Sequence, residues 1–326
     1  FRPPEGRTDA AAARLRTRKN ERPILARPFH RSGFLRTFAG NEKTERMTRR
    51  EIWDAVNRAA ASVYDAREAR AVAAFVCEGR LGLRFTDVIV EPDAPCPLRE
   101  ELAPLTAEIR DRRPAQYIAG YAFFRNMKFA VREGVLIPRP ETEELVGFIE
   151  AEHRAEEGLR VLDIGTGSGC IAVSLALALP RSRVTGIDVS DTALATASEN
   201  ARRLGAEVRF ERFDILDDDG LQGPYDIVVS NPPYVTRSER AQMPPNVLRH
   251  EPHRALFVPD DDPLLFYRAI AEKGRTMLAP GGRLWFEINE RFGPQTVRLL
   301  ENEGYADVRL REDLFGKPRT VCARWK

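Results

Sequence analysis

Arg160-Val161-Leu162-Asp163-Ile164, then Gly165-Thr166-Gly167-Ser168-Gly169, then the apolar run Cys170 to Leu179 (CIAVSLALAL) form the stretch on which the fold turns. The first five residues predict a short buried strand and the last ten an apolar helix. The glycines between them let backbone approach a ligand where a Cβ would collide. Strand, glycine-rich turn and helix together make the first crossover of a doubly wound α/β sheet. The spacing narrows the ligand. A dinucleotide fingerprint needs its third glycine at position 170, which is Cys170. The pattern here is G-x-G-x-G preceded by Asp163, a form suited to a nucleoside carrying an amino-acid tail. The next strand, Arg183 to Ile187, ends at Asp188, 23 residues beyond Gly165, where a carboxylate is placed to accept from both ribose hydroxyls. The competing role is a helix cap, which Ser190 or Asp191 could serve instead.

Downstream, Tyr225-Asp226-Ile227-Val228-Val229-Ser230 reads as a further strand that delivers Asn231-Pro232-Pro233-Tyr234 to the carboxyl edge of the sheet. Two prolines remove two N–H donors and stop the strand. A carboxamide, a carbonyl that no ladder uses and an aromatic ring then lie side by side. That trio suits a planar amide or amine, with acceptors for its N–H groups and a flat face beneath it. Taken alone, the tetrapeptide reads equally well as a Pro-rich turn after a strand; the upstream crossover tips the balance.

The Gly165–Gly169 loop, Asp188 and Asn231–Tyr234 together resemble class I S-adenosylmethionine-dependent methyltransferases of the amino-group type. Ile137-Pro138-Arg139-Pro140-Glu141-Thr142-Glu143, Ser230 to Tyr234, Glu251-Pro252-His253-Arg254-Ala255-Leu256 and Asp313-Leu314-Phe315-Gly316-Lys317-Pro318-Arg319 stand in order and well spaced. That ordered set resembles the peptide chain release factor glutamine methyltransferases, from about Met47 to the C-terminus. The glycine loop is a weak signal by itself, and the ordered set a strong one. The resemblance implies a class I, Rossmann-like α/β fold with a seven-stranded sheet, its last hairpin inserted antiparallel, and a small N-terminal helical bundle that helps hold the protein substrate. It implies S-adenosyl-L-methionine as cofactor and N5-methylation of the glutamine in the Gly-Gly-Gln motif of class I release factors, supporting translation termination.

Site roles follow on that basis. Gly165, Thr166, Gly167, Ser168, Gly169 and Asp188 are expected to hold the cofactor, with Asp214 and Ile215 beside its adenine and Asn231 touching it too. A carboxamide nitrogen is close to inert in water, so catalysis has to fix it with its lone pair along the S–CH₃ axis. Alignment of this kind supplies up to roughly 7–11 kcal/mol in well-oriented cases. The Asn231 side-chain oxygen and the Pro232 carbonyl are the expected acceptors, with Pro233 shaping the turn and Tyr234 packing on the amide plane. No side chain reads as a strong general base.

Composition bounds the rest. The chain of 326 residues is long enough for two domains. No apolar stretch reaches the length of a membrane span. Cys77, Cys96, Cys170 and Cys322 show no paired spacing, which points to a reducing, cytoplasmic compartment. His250 and His253 invite a metal reading, but Pro252 lies between them and no third ligand is near, so solvated loop histidines are expected and no metal. Residues 1–46 carry 12 Lys/Arg against 5 Asp/Glu, the remaining 280 carry 39 against 44. The basic segment is poor in apolar periodicity and reads as disordered. Its arginines also fit a transit peptide or a nucleic-acid tail. Because the family likeness begins at Met47, an upstream extension of the reading frame is the expected account.

Residues 47–119 read as a helical bundle. Thr48 and Glu51 form a capping box, and Ile52, Trp53, Val56, Ala59, Ala60 and Val63 recur at helical spacing. Residues 120–137 read as a β-hairpin linker over Phe123 to Val131, and 138–326 as the catalytic domain. Arg139, between two prolines, is either a surface linker residue or one that reaches the site. Residues 235–263 read as a long irregular segment, a plausible lid over the site. The strand before the last helix is expected over Arg283 to Ile288.

Three rivals stand beside this reading. A glutamine methyltransferase for a large-subunit ribosomal protein has overlapping motifs. An N6-adenine DNA or RNA methyltransferase would use the same four residues, but needs a basic groove, and residues 47–326 are net acidic. A non-catalytic tethering protein led by the basic tail fits poorly with an intact Asn231 motif. A monomer with a release factor as partner, and no direct nucleic-acid binding, is the expectation.

Overall fold

Short apolar strands alternate with helices from residue 140 onward, and the computed structural model, which describes residues 47–217, 219–221 and 223–326, shows what they build. The expected disorder of residues 1–46 and the start at Met47 lie outside the described residues. The first five helices are α1 (Arg49–Ala61), α2 (Ala66–Leu81), α3 (Phe85–Val90), α4 (Arg99–Arg110) and α5 (Ala115–Ala119). The expected capping box starts α1: Glu51 N–H donates to Thr48 Oγ1 (3.2 Å) and Thr48 N–H to Glu51 Oε2 (2.7 Å). Ile52, Trp53, Val56, Ala59 and Ala60 are buried as their spacing predicts, against Val76, Leu105 and Ile109 in a core of their own.

A hairpin of β1 (Tyr121–Phe124) and β2 (Met127–Ala130) follows. Its two turn residues, Arg125 and Asn126, both have left-handed φ (48° and 60°), as a type I′ turn requires. The hairpin is clamped to the next layer by the buried Asn200, which accepts from Ala130 N–H (2.7 Å) and donates to Ala130 O (3.0 Å). Then come α6 (Pro140–His153), β3 (Arg160–Ile164), α7 (Cys170–Ala178), β4 (Arg183–Asp188), α8 (Asp191–Leu204), β5 (Val208–Arg212) and β6 (Tyr225–Ser230).

Two expectations about the rest of the chain are corrected. Residues 235–263 are not irregular. They hold β7 (Val235–Thr236), a 3₁₀ turn (Arg237–Gln242), α9 (Pro245–His250) and β8 (Phe257–Val258), with β7 and β8 pairing in parallel. Thr236-Arg237-Ser238-Glu239 is itself a capping-box sequence: Thr236 N–H donates to Glu239 Oε2 at 2.8 Å. After α10 (Leu265–Met277), the strand expected from Arg283 starts earlier, as β9 (Leu278–Glu287). Its first residue pairs with Tyr225 before an irregularity restores the register, so Gly281 and Gly282 lie inside the strand. α11 (Gly293–Asn302), β10 (Ala306–Glu312) and β11 (Pro318–Arg324) complete the chain.

The sheet has seven strands in the order β10-β11-β9-β6-β3-β4-β5. Of the closing hairpin, β11 alone runs against its neighbours, inserted between β10 and β9. Side chains alternate between faces. Val161, Val229 and Trp285 face a core with α6 and α7, while Leu162, Val228 and Phe286 face one with α10. The strand order reverses between β3 and β6, and in such sheets the crevice at the carboxyl ends there is where ligands bind.

Gly169 caps α7 with φ 79°, and an added Cβ would sit 3.0 Å from Ala197 Cβ on α8. Gly169→Ala should therefore destabilise the protein by about 2–4 kcal/mol, from left-handed strain and overpacking together. Urea unfolding of the two proteins measures it.

Candidate active site

A cavity of about 420 Å³ opens at the carboxyl edge, inside the range of roughly 300–1,000 Å³ usual for small-molecule sites. One wall is the glycine loop. Gly165 and Thr166 N–H both donate to Ile187 O at 2.9 Å, which holds the loop against the end of β4. Gly165 and Gly167 line the cavity with positive φ (73° and 56°), a backbone conformation that favours glycine over residues with side chains. From behind, Asn200 Nδ2 donates to Ser168 O (2.9 Å). Asp163 sits beneath, fully buried, and its Oδ2 accepts from Thr166 Oγ1–H (2.7 Å) and Ala172 N–H (3.2 Å). Burial pushes its carboxyl up to about 7, with the Thr166 and Ala172 bonds working in the other direction.

Asp188 stands on the wall with its carboxylate held at both oxygens: Gly167 N–H donates to Oδ2 and Ser190 N–H to Oδ1, each at 2.9 Å. It is not the cap of α8. Ser190 is, accepting from Ala193 N–H (3.3 Å). An ionised carboxylate has about four acceptor positions, more than the backbone donors on Asp188 take up. Burial raises its carboxyl above the ordinary range while the backbone donors pull it back.

The opposite wall comes from the end of β6. Ser230 Oγ donates to Ile164 O (2.7 Å), tying this strand end to the start of the glycine loop. Asn231, Pro232 and Pro233 all line the cavity, as do Asp214 and Ile215. Gly165, Thr166, Gly167 and Ser168 line it too, with Cys170 and Ile171. Two expected site residues stand outside the wall. Gly169 packs α7 against α8, and the Tyr234 ring packs on the core that includes Tyr267. Tyr234 hydroxyl donates to Glu287 Oε1 (3.0 Å). Burial first, then the Glu287 charge, pushes the Tyr234 phenol well above its ordinary value.

Two residues not singled out by the sequence join this wall through hydrogen bonds. Thr142, in the first turn of α6, accepts from Asn231 Nδ2 (3.1 Å) and donates to Glu287 Oε2 (2.6 Å). In the sequence it stands between Glu141 and Glu143, with nothing local to set it apart. Glu287 ends β9 and is 1% exposed; a charged residue inside the apolar run Leu284-Trp285-Phe286-Glu287-Ile288 was the available signal. Arg139 also reaches the cavity wall, its Nη2 donating to both oxygens of the buried Glu251 (2.7 and 2.8 Å). Pro252, Arg254 and Ala255 join the wall from the same segment, with Arg254 paired to Asp214 at 3.1 Å. His253 and His250 ring nitrogens lie against the carbonyls of Leu248 (2.7 Å) and Asp111 (3.3 Å).

Two predictions come from this geometry. Asp188→Ala should weaken binding of an adenosine-type ligand at least about tenfold, since it removes hydrogen bonds to a charged acceptor. Calorimetric titration with S-adenosyl-L-homocysteine reads this directly. The native Asp163 carboxyl titrates near 7, against 3.8 when exposed, so between those values the folded state holds a proton that the unfolded chain has lost. Its contribution to stability therefore falls as pH rises from about 4 to about 7. Asp163→Asn should flatten that part of the curve in denaturant midpoints taken at several pH values.

Residues 142–253 match the family model described as a methyltransferase small domain. The chain is 48% identical over 265 residues to a release factor glutamine methyltransferase of Bacteroides thetaiotaomicron, covering 80% of this chain and 94% of that protein. It is 42% identical over 273 residues to one of Flavobacterium psychrophilum, covering 82% and 96%. Among solved structures, a protein-(glutamine-N5) methyltransferase (release factor-specific) from Alicyclobacillus acidocaldarius is 30% identical, covers 58% of this chain and 94% of that one, and superposes with a TM-score of 0.37. With 48% identity over 265 aligned residues that span 94% of such a relative, the chain belongs to the release factor glutamine methyltransferase family.

Proposed function

We propose that the protein transfers the methyl group of S-adenosyl-L-methionine to the side-chain nitrogen of the glutamine in the Gly-Gly-Gln motif of class I peptide chain release factors. The observation that carries the reading is the meeting, in one cavity, of the glycine loop and Asp188 with Asn231 and Pro232 at the end of the neighbouring strand. The cofactor supplies an electrophilic methyl on its sulfonium. Gly165 to Ser168 and Asp188 would hold it, with Asp214 and Ile215 at its base. A cavity of about 420 Å³ with an open carboxylate on one wall fits such a nucleoside.

The residues of the opposite wall act on the glutamine. Asn231 Oδ1 and Pro232 O accept its two N–H groups, which turns the amide nitrogen toward the methyl and holds it there. The contribution is alignment: the N–CH₃ bond forms as the S–CH₃ bond breaks, the sulfonium leaves as the thioether of S-adenosyl-L-homocysteine, and the nitrogen loses one proton after transfer. Val135, Ile137 and Pro138 add apolar surface to the cavity lining.

Helices of residues 47–119 hold the release factor, residues 120–137 join them to the catalytic domain, and residues 138–326 carry the chemistry. Tyr117 on α5 supports that link, its hydroxyl donating to Val135 O (2.6 Å) in that lining. The protein works as a monomer in the cytoplasm, on a protein and not on nucleic acid. Among the described residues, no helix is long and apolar enough to cross a membrane.

The test offers labelled S-adenosyl-L-methionine with a release factor, large-subunit ribosomal protein or adenine-containing DNA. Label is expected on the release factor, at the Gly-Gly-Gln glutamine; label on DNA alone overturns the reading. Asn231→Ala should lower kcat by about 100- to 1,000-fold, the scale seen when one preorganised polar group is removed from an active site. Cofactor affinity should stay close to that of the wild type.

A further inference from the structure

We propose that Glu287 and Thr142 fix the polarity of the Asn231 carboxamide, so that its oxygen faces the substrate and its NH₂ faces the protein. The inference rests on the reading of a glutamine amide as the guest. It concerns Thr142, which lines the cavity, and Glu287 behind it, both acting through Asn231 as positioning residues.

An asparagine side chain has two orientations of nearly equal shape, related by a half-turn about its last bond. One offers an acceptor to the cavity and the other offers donors. A substrate amide that must be gripped by its N–H groups needs the first. Presented with the second, it meets donor against donor. Asn231 is in contact with Thr142 Oγ1, a hydroxyl with one proton and two lone pairs. A hydroxyl alone has no preference, because it could accept from Nδ2 or donate to Oδ1.

Glu287 removes that freedom. A carboxylate is acceptor-only, and two hydroxyls point at that of Glu287, Thr142 on Oε2 (2.6 Å) and Tyr234 on Oε1 (3.0 Å). Thr142 has given up its one proton, so toward Asn231 it only accepts. The 3.1 Å contact is then Nδ2–H to Oγ1, and Asn231 Oδ1 is left for the cavity. Burial raises the Glu287 carboxyl above its ordinary value, and the Thr142 and Tyr234 hydroxyls and the Arg319 guanidinium pull it back. Tyr234 gains a role in the same chain: it occupies the other carboxylate oxygen and keeps the Thr142 proton on its own. A glutamine at 287 presents one oxygen and one NH₂ to two hydroxyls that both need an acceptor, so one of them must reverse.

The test compares wild type, Thr142→Val, Thr142→Ser and Glu287→Gln, each loaded with cofactor, on a release factor. Thr142→Val keeps the shape and removes the hydroxyl. It and Glu287→Gln should each lower kcat about 10- to 100-fold, with the cofactor Kd within about threefold of wild type. Thr142→Ser should recover much of what Thr142→Val loses. The polarity itself is read by competition: a release factor with glutamate in place of the target glutamine should inhibit Thr142→Val more strongly than wild type, because a turned Asn231 now donates to a carboxylate. Thr142→Val with kcat within threefold of wild type overturns the proposal, as does a loss in Thr142→Val that Thr142→Ser shares in full with no gain of that inhibition. A wild-type protein that labels no release factor overturns instead the reading of the substrate on which the proposal rests.

Discussion

Parallel pairing of β3 with β6, with Ile164 opposite Ser230, is the constraint on which the rest of the site depends. It places the end of one strand, where the glycine loop begins, beside the end of another, where Asn231 begins. The Ser230 hydroxyl on Ile164 O closes the gap between them. The neighbouring pairings carry the line outward, Ile164 opposite Ile187 on one side and Ser230 opposite Phe286 on the other. Asp188 and Glu287 each follow one residue later, so both carboxylates reach the same edge. A shift of one residue in any of these ladders would turn the following side chain to the other face.

Two buried carboxylates sit behind the walls, and each orders a piece of backbone or side chain that lines the cavity. Asp163 holds Thr166 and the first turn of α7. Glu287 holds Thr142 and Tyr234. An unpaired buried charge is costly, and in both cases the partners are hydroxyl or N–H donors in place of a salt bridge. Such donors carry direction, which a point charge does not. The result is a site whose polar groups are aligned before any substrate arrives.

The segment between Tyr234 and Pro263 shows how a region with weak periodicity is held. Glu239 caps its first turn and also accepts from Asn289, while Asn289 donates to Tyr234 O (3.1 Å). Glu251 binds both Arg139 and Ile137 N–H (3.3 Å), so the linker ahead of α6 and this segment are locked together. The residues that follow, Pro252 and Arg254, reach the cavity because of that lock.

Much of this was legible in the chain itself. Glycine spacing, the apolar strands and helices, and the order of the four motifs are local or linear properties, and they determined the crossover, the α/β class and the residues Gly165 to Ser168, Asp188 and Asn231 to Pro233 as a set. Thr142 and Glu287 were not legible: they lie 145 positions apart and their role exists only through a shared hydrogen bond. The same limit explains Gly169 and Tyr234, which belong to motifs but stand off the cavity because helix packing and a buried carboxylate claim them. It explains β9 too, whose early start was hidden by two glycines and revealed by its pairing with Tyr225. Sequence alone determined which backbone could turn, cross over and approach a ligand, since those depend on each residue's own φ and side-chain size. Only the tertiary structure decided which way each polar group faces, because a hydrogen bond's direction is set by whichever donor or acceptor the fold brings opposite it.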